Sequence, residues 1–319
     1  MSISYQGEMP AGPIRPPQVL LSNDLVGHKA VRSAVHWSTA SLTENRVWHE
    51  DQYWINERAK HSRYSFRMLR YWYMDRLLDA MRTELGRPLR VLEIGVDRGQ
   101  MKAFIDGTPR GAHDGALYAC WDAADVRPQV DALQQAGYGE CLTLNLDDGD
   151  SLTEFVVQTR SRYDVIVLLH VLEHLTQPER AVTFLTGSLC ANGCIIGGFP
   201  VLPSGIAGIR QKQIRQTAQP FGHVSAFSPR RVRKMAEHAG MVTDYAAGAF
   251  ALRASGSVLE NYAWWLRFNV AFGAAFPGWP GEIYFQMRKP PSVHAVPDIT
   301  PVPAQPRAAI GKQAGAASA

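Results

Sequence analysis

Cysteine is scarce: Cys120, Cys141, Cys190 and Cys194 are the only four in 319 residues. None forms a C-x-x-C pair, which removes the usual zinc spacing, and a chain of this length has no need of disulfide staples. Charge is thin as well, at 19%, below the usual globular share. The surplus of 33 basic over 29 acidic residues is small and scattered. It argues for neither a nucleic-acid partner nor a cationic membrane-surface protein. No apolar run reaches the length of a bilayer span, because the best late stretch, Tyr262 to Trp279, is broken by Arg267, Asn269 and Pro277. The first residues, MSISYQGEMPAGPIRPPQ, lack a basic-then-apolar signal pattern. No internal repeat is visible. A reducing, cytoplasmic setting is therefore the default expectation.

Hydrophobic residues, by contrast, make up 46% of the chain, enough for a sizeable core. Residues 1–20 are proline-rich and read as a flexible arm. Residues 21–86 form an aromatic-rich segment carrying Trp48, Tyr53, Trp54, Tyr71, Trp72 and Tyr73, whose second half reads as a helix over Tyr64–Leu85. Residues 290–319 are an Ala/Pro-rich tail with too little apolar surface to fold. Between these ends, in 87–289, strand and helix patterns alternate. Strands are expected at Leu89–Ile94, Ala116–Trp121, Cys141–Asn145, Asp164–Leu169, Gly193–Gly198 and Gly281–Met287. Helices are expected at Gln100–Ile105, Arg127–Ala136, Ser151–Arg160 and Pro178–Leu189, with a further one capped by Ser228, opened by Pro229 and closed by Gly240. Continuous apolar strands alternating with helices predict an α/β, doubly wound parallel sheet covered on both faces.

The first strand runs into Glu93-Ile94-Gly95-Val96-Asp97-Arg98-Gly99. In such a sheet ligands sit beyond the carboxyl ends of the strands. Gly95 and Gly99 let the backbone turn tightly, and the next helix offers free N–H groups to a carboxylate. Glu93 suits a ligand with an ammonium or sulfonium charge. A dinucleotide site wants G-x-G-x-x-G, whereas the spacing here is E-x-G-x-x-x-G, and the acid would repel a pyrophosphate. An ordinary strand-to-helix turn also accounts for the loop. The second expected strand ends at Trp121-Asp122, where a carboxylate can accept both ribose hydroxyls, or can simply cap a helix. The third ends at Asn145-Leu146-Asp147, where a polar group can meet an adenine amine and where turn chemistry is the competing explanation.

These stretches resemble class I S-adenosylmethionine-dependent methyltransferases of the small-molecule branch. VLEIGVDRG looks like the first motif, with Glu93, Gly95 and Gly99 in place and Asp97 where members often carry a second glycine. YDVIVLLHVLEHLTQPERAV, ANGCIIGGFP, GHVSAFSPRRVRKMAEHAGM and GEIYFQMRKP are similar to later blocks, so the resemblance spans Leu89 to Lys289. It implies a Rossmann-like seven-stranded sheet with an antiparallel last strand, and S-adenosylmethionine as cofactor held by Glu93, Gly95, Asp97, Gly99, Asp122, Asn145, Asp147 and His170. No metal ligand set is assigned, although the resemblance leaves a divalent metal near His170–His174 open, as some quinone-pathway members use one there. His170-Val171-Leu172-Glu173-His174 also matches the zinc signature H-x-x-E-H. That signature needs both histidines on one helix, and His170 directly follows a buried strand.

Methyl transfer to a hydroxyl requires a base for the leaving proton. His223, in the loop before the capped helix, is the expected base, and His170 is expected to shape the pocket beside the sulfonium; a structural role is open for each. The segment Val201–Gln219, with Arg210, Lys212 and Arg215, reads as a lid for an anionic acceptor or as a solvated helix. Leu259–Phe276 is compatible with core packing, a pocket cover or a homodimer contact. The expected activity is O-methylation of a small molecule, with N- or C-methylation and a non-catalytic scaffold as alternatives. Nucleic acid is not an expected partner, since no basic stripe or added module is visible.

Overall fold

The computed structural model describes residues 66–96, 98–109, 115–217, 222–252 and 257–290. The expected arm, the aromatic segment before residue 66, Asp97 and the tail after residue 290 lie outside the described residues. In chain order the elements are α1 (Phe66–Leu85), β1 (Leu89–Ile94), α2 (Gln100–Asp106), β2 (Tyr118–Asp125), α3 (Val130–Gln135), β3 (Cys141–Thr143), α4 (Gly149–Gln158) and β4 (Tyr163–Leu169). They continue with α5 (Pro178–Leu185), β5 (Leu189–Val201), α6 (Ser204–Thr217), α7 (Pro229–His238), β6 (Val242–Gly248), α8 (Ala263–Ala275) and β7 (Gly281–Arg288).

The strands form one seven-stranded sheet in the order β3-β2-β1-β4-β5-β7-β6. All neighbouring pairs are parallel except that β7 runs antiparallel to both β5 and β6. Strand order reverses between β1 and β4, which makes their carboxyl ends the natural ligand crevice.

Alternate strand residues build two cores, as the two-residue side-chain period of a strand requires. Val91, Val165, Val167, Ile196 and Tyr284 join Trp72 and Tyr73 of α1, Phe104 of α2 and Val270 of α8 on one face. Leu92, Ile166, Ile195 and Phe285 join Leu152 of α4, Val182 of α5 and Val232 of α7 on the other. Tyr73 stacks on Tyr284 at 4.3 Å, so the described part of the aromatic segment packs onto the sheet as its outer helix. α7 agrees with its sequence punctuation: Ser228 Oγ accepts the Arg231 N–H at 3.3 Å, Pro229 opens the helix, and Gly240 takes φ +67° beyond its end.

Three expectations are corrected. β2 is displaced toward the C-terminus and ends at Asp125, not at Trp121. Helix α5 stops at Leu185, and Thr186–Ser188 form a 3-10 turn instead of a last helical turn. β6 is a strand that the sequence pattern does not announce: after Val242 and Thr243 its residues, VTDYAAG, turn to a buried aspartate and small side chains.

Candidate active site

The loop after β1 is built on two left-handed glycines, Gly95 at φ +78° and Gly99 at φ +69°. Neither tolerates a side chain. A Cβ on Gly95 would lie 2.5 Å from Val171 Cγ2, and one on Gly99 would lie 2.9 Å from Tyr138 Cε2. The β1 loop is therefore pressed against the loop after β4, and these glycines permit the approach. Gly95 N–H donates to the Ala124 carbonyl at 2.9 Å, so β2 continues alongside as far as the turn.

Glu93 is buried beneath this loop. Its Oε2 accepts from Tyr138 OH at 2.7 Å and from Trp121 Nε1 at 3.0 Å. Burial pushes its carboxyl up to about 7, against those two hydrogen bonds and the Lys102 charge. A cation arriving at this edge would meet a carboxylate held on the verge of ionisation.

Asp122 is not at the strand end. It lies level with Leu92 inside the sheet, its Oδ1 accepts Glu140 N–H at 2.9 Å, and its Oδ2 accepts from Arg162 at 2.8 Å and Tyr163 OH at 3.0 Å. It is 2% exposed and fully engaged in structural bonds, so its reading as the ribose acceptor is withdrawn. The carboxylate at the strand end is Asp125, half-buried, with one oxygen accepting the adjacent Val126 N–H at 2.6 Å. Reading β2 three residues further would have found it; the polar Asp122 inside a run of small residues hid that option.

Asn145 and Asp147 lie just past β3, both exposed. Asn145 Oδ1 accepts Asp147 N–H at 3.1 Å, closing an Asx-type turn. Asp147 Oδ1 in turn accepts the backbone N–H and the hydroxyl of Thr176, at 2.9 and 2.8 Å. Asp147 thus fastens the β3 loop to the segment after β4, while Asn145 stands at the rim.

At the carboxyl end of β4 the backbone turns through His170 at φ +56°, a region a β-carbon residue rarely occupies. Its N–H donates to the Gly198 carbonyl at 2.8 Å, its Nδ1 meets Glu173 Oε1 at 2.9 Å, and its Nε2 faces Glu282 Oε1 at 3.6 Å. Glu282, on β7, also accepts from Arg70 of α1 at 3.3 Å and from Tyr284 OH at 2.5 Å. Burial alone would lower the His170 pKa, but the two carboxylates reverse this and raise it. Burial likewise opposes ionisation of Glu282, yet His170, Arg70 and Tyr284 hold it down at about 2. Arg70, Glu282, His170 and Glu173 form an alternating chain of charges that no motif in the sequence marks, because its members come from separate segments.

Leu172–His174 form a 3-10 turn, so His170 and His174 do not share a helix and the zinc-protease reading falls. Glu173 is 1% exposed, and its Oε2 has no hydrogen-bond partner among the described residues. Its backbone carbonyl accepts the N–H groups of Val224 and Ser225, at 2.8 and 3.0 Å. That clamp sets His223 beside the turn, with the His174 and His223 rings 5.0 Å apart. Ligand-type atoms of Glu173, His174 and His223 lie within 4.8 Å of one another. His223 is exposed on the rim; partial burial lowers its pKa, the neighbouring histidines and Arg210 add to this, and Glu173 opposes it.

Helix α6 is tethered over this region by Gln211, which donates to the Val224 carbonyl at 2.9 Å and accepts the Ala226 N–H at 2.8 Å. Between α6 and the 222–228 loop lies a cavity of about 450 Å³ lined by Thr176, Ser204, Gln211 and Ser225 among others. Arg210 and Lys212 of α6 are exposed, and the Arg210 charge acts on His223; the Arg215 side chain lies outside the described residues.

The polar side chains at the crevice are carboxylates or an amide, Glu93, Asp125 and Asn145, beside two glycines. They fit a ligand with a cationic end, a vicinal diol and an amine, and they disfavour a pyrophosphate. A family model described as a methyltransferase domain matches residues 66–244. Among curated proteins no sequence matches this chain. Similar solved structures include trans-methyltransferase CalH in complex with S-adenosylhomocysteine, with 17% identity, TM-score 0.46, and a match covering 69% of this chain and 57% of that one. The magnesium protoporphyrin IX methyltransferase of Synechocystis PCC 6803, with bound S-adenosylhomocysteine, shows 17% identity and TM-score 0.40 over 77% of this chain and 92% of its own. The 1,6-didemethyltoxoflavin-N1-methyltransferase of Burkholderia thailandensis shows 15% identity and TM-score 0.38 over 67% and 77%. The family match covers more than half of the chain, from α1 into β6, and includes the glycine loop, Asp125 and the His170–His174 turn. This chain belongs to the methyltransferase-domain family and is an S-adenosylmethionine-dependent methyltransferase.

Proposed function

We propose that the chain methylates a hydroxyl of a small molecule, with His223 as the proton acceptor. The observation that carries this reading is the clamp of Val224 and Ser225 on the Glu173 carbonyl, which holds His223 on the rim at the carboxyl end of β4. Its lowered pKa leaves the imidazole neutral near pH 7, the form that can take a proton. His170 is less suited to that role: both ring nitrogens face carboxylates, which raise its pKa and make it a poorer exposed base than His223. Its part is to hold the turn beside Gly95, with Glu173 and Glu282 balancing its charge.

S-adenosylmethionine supplies an electrophilic methyl on a sulfonium. When bound, its cationic end would be held by Glu93, its ribose hydroxyls by Asp125 and its base by Asn145, with Gly95 and Gly99 allowing backbone approach. The acceptor enters by the cavity under α6, where Thr176, Ser204, Gln211 and Ser225 offer hydrogen bonds; the exposed Arg210 and Lys212 of the same helix would favour an anionic acceptor. The protein's main contribution is alignment, with the acceptor oxygen held about 3 Å from the methyl carbon.

The test is His223→Ala. With a hydroxyl acceptor, turnover should fall roughly 10²–10⁴-fold, while calorimetric affinity for S-adenosylhomocysteine stays at the parent level. In the parent, activity should rise with pH through a value below 6.5, since the base must be neutral and its pKa is lowered from that figure. Unchanged turnover in the variant would remove His223 from the mechanism and favour an amine acceptor, which can lose its proton to water.

A further inference from the structure

The whole-chain charge balance hides a local concentration. From residue 203 to residue 240 the sequence carries seven lysines and arginines against one acid, Glu237. Arg210 and Lys212 of α6 and Arg230 and Lys234 of α7 are exposed. Arg231 is committed to Glu179 at 2.7 Å, and Arg233 pairs with Glu237, the region's one acid, at 3.7 Å.

Beside this basic region α8 presents an aromatic face. Its inner side, with Leu266 and Val270, is buried in the core. Its outer side leaves Trp264 59% and Phe268 47% exposed, and the flanking Tyr262, Phe276 and Trp279 are 49%, 56% and 48% exposed. The rings succeed one another along the helix from Tyr262 to Trp279, with centroid spacings between 4.9 and 6.5 Å. At its far end Phe276 and Trp279 share a cavity of about 760 Å³ with Arg230 and Arg233, so the aromatic and basic surfaces are continuous. The next strand begins at Gly281, paired with Val201 and close to Gly248, which are the carboxyl ends of β5 and β6. That junction is therefore on the same edge of the sheet as the glycine loop.

We propose that this surface docks on an anionic lipid bilayer, with the α8 aromatics at headgroup depth and the α6–α7 cations on lipid phosphates. Exposed Trp, Tyr and Phe beside arginine and lysine match the bilayer interface, where an amphipathic ring is better placed than in water. The near-absence of acids supplies the charge complementarity. A second copy fits less well, because a two-fold contact would set Arg230, Arg233 and Arg267 against their own images with Glu237 as the one exposed acid to balance them. The docked edge delivers a bilayer-dissolved acceptor to the mouth of the crevice.

Co-sedimentation of the full chain with vesicles tests this. Vesicles of phosphatidylcholine with phosphatidylglycerol should carry the protein down, phosphatidylcholine alone should not, and added salt should release it. Two double variants, Trp264→Ser with Phe268→Ser and Arg230→Gln with Arg233→Gln, should each bind on the order of tenfold or more weakly. Their S-adenosylhomocysteine affinity, a check on folding, should match the parent. Equal binding of the parent to both vesicle types, or no binding to either, overturns the proposal without reference to any variant. A parent that ignores vesicles and sediments as a dimer lost in the Trp264→Ser, Phe268→Ser variant makes the face a contact between copies.

Discussion

At the scale of single residues, two aspartates three positions apart on β2 have opposite uses. Asp122→Ala would leave the buried Tyr163 OH without its acceptor and break the bonds from Arg162 and the Glu140 N–H, which are partly exposed, so it should cost roughly 1–3 kcal/mol of stability, read by chemical denaturation. Asp125→Ala should leave stability nearly unchanged and weaken S-adenosylhomocysteine binding by roughly 1.5–3 kcal/mol in a calorimetric titration. If both variants lose only stability, Asp125 has no ligand. Glu93 makes a different prediction. Its native pKa of about 7 exceeds its usual 4.5, so between those values the folded state binds more protons than the unfolded one. Stability contributed by this group therefore falls as pH rises through that window. Glu93→Gln should make the ligand-free protein more stable at pH 8, by roughly 1–3 kcal/mol, and should weaken cofactor binding. In the parent, affinity for the cationic cofactor should improve as pH rises past 7, with protons released on binding; a pH-independent affinity would place the ammonium elsewhere.

At the scale of elements, segments with strong local signals are legible in the sequence and those depending on distant partners are not. β1 is legible to its last residue because Val91, Leu92 and Ile94 are bounded by Pro88 and Gly95. The Ser228–Pro229 start of α7 is legible from its cap. β2 is easily misplaced because its buried Asp122 is acceptable only through Arg162 and Tyr163, some forty residues on. β6 is invisible for a similar reason: Asp244 inside it is neutralised by Arg288 and Gln286 of β7. The glycine loop is legible because its residues are contiguous; the Arg70–Glu282–His170–Glu173 chain is not, since nothing local links α1, β7 and the turn after β4. A further element-level prediction concerns the start of β1. Arg87 and Arg90 both pair with the buried Asp164 of β4, whose carboxyl they hold down at about 2 against the effect of burial. The stabilisation is present above pH 3.8 and lost as pH falls toward 2. Asp164→Asn should cost about 1–3 kcal/mol at pH 7, discounted because both arginines are partly exposed, and the deficit should shrink in acid melts.

At the scale of the whole molecule, the crevice is assembled from both halves of the chain. Glu93, Asp125 and Asn145 come from the first three strands and their loops, while His170, Glu173 and His223 come from segments after β4 and Glu282 from β7. Among the described residues no helix is long and apolar enough to cross a membrane. The cover, α6, is held by Gln211. Gln211→Ala should loosen it, raising KM for the acceptor several-fold with little change in cofactor affinity, a split that steady-state kinetics with both substrates varied would read.

The place of β7 in the sheet has a consequence for how the protein is made. It is the last strand of the sheet in sequence but lies inside the sheet, with β5 on one side and β6 on the other. While synthesis has reached only residue 280, β6 has no partner and β5 shows an open flank, the kind of unpaired edge that recruits other chains. Gly281–Arg288 then has to enter between two strands already present, a long-range step that slows closure. Its last residue, Arg288, pairs with Asp244 of β6 and Glu84 of α1, fastening late-made chain to early. During translation the nascent chain is thus exposed to aggregation until Gly281–Arg288 is in place, and its dependence on chaperones should be concentrated in that interval.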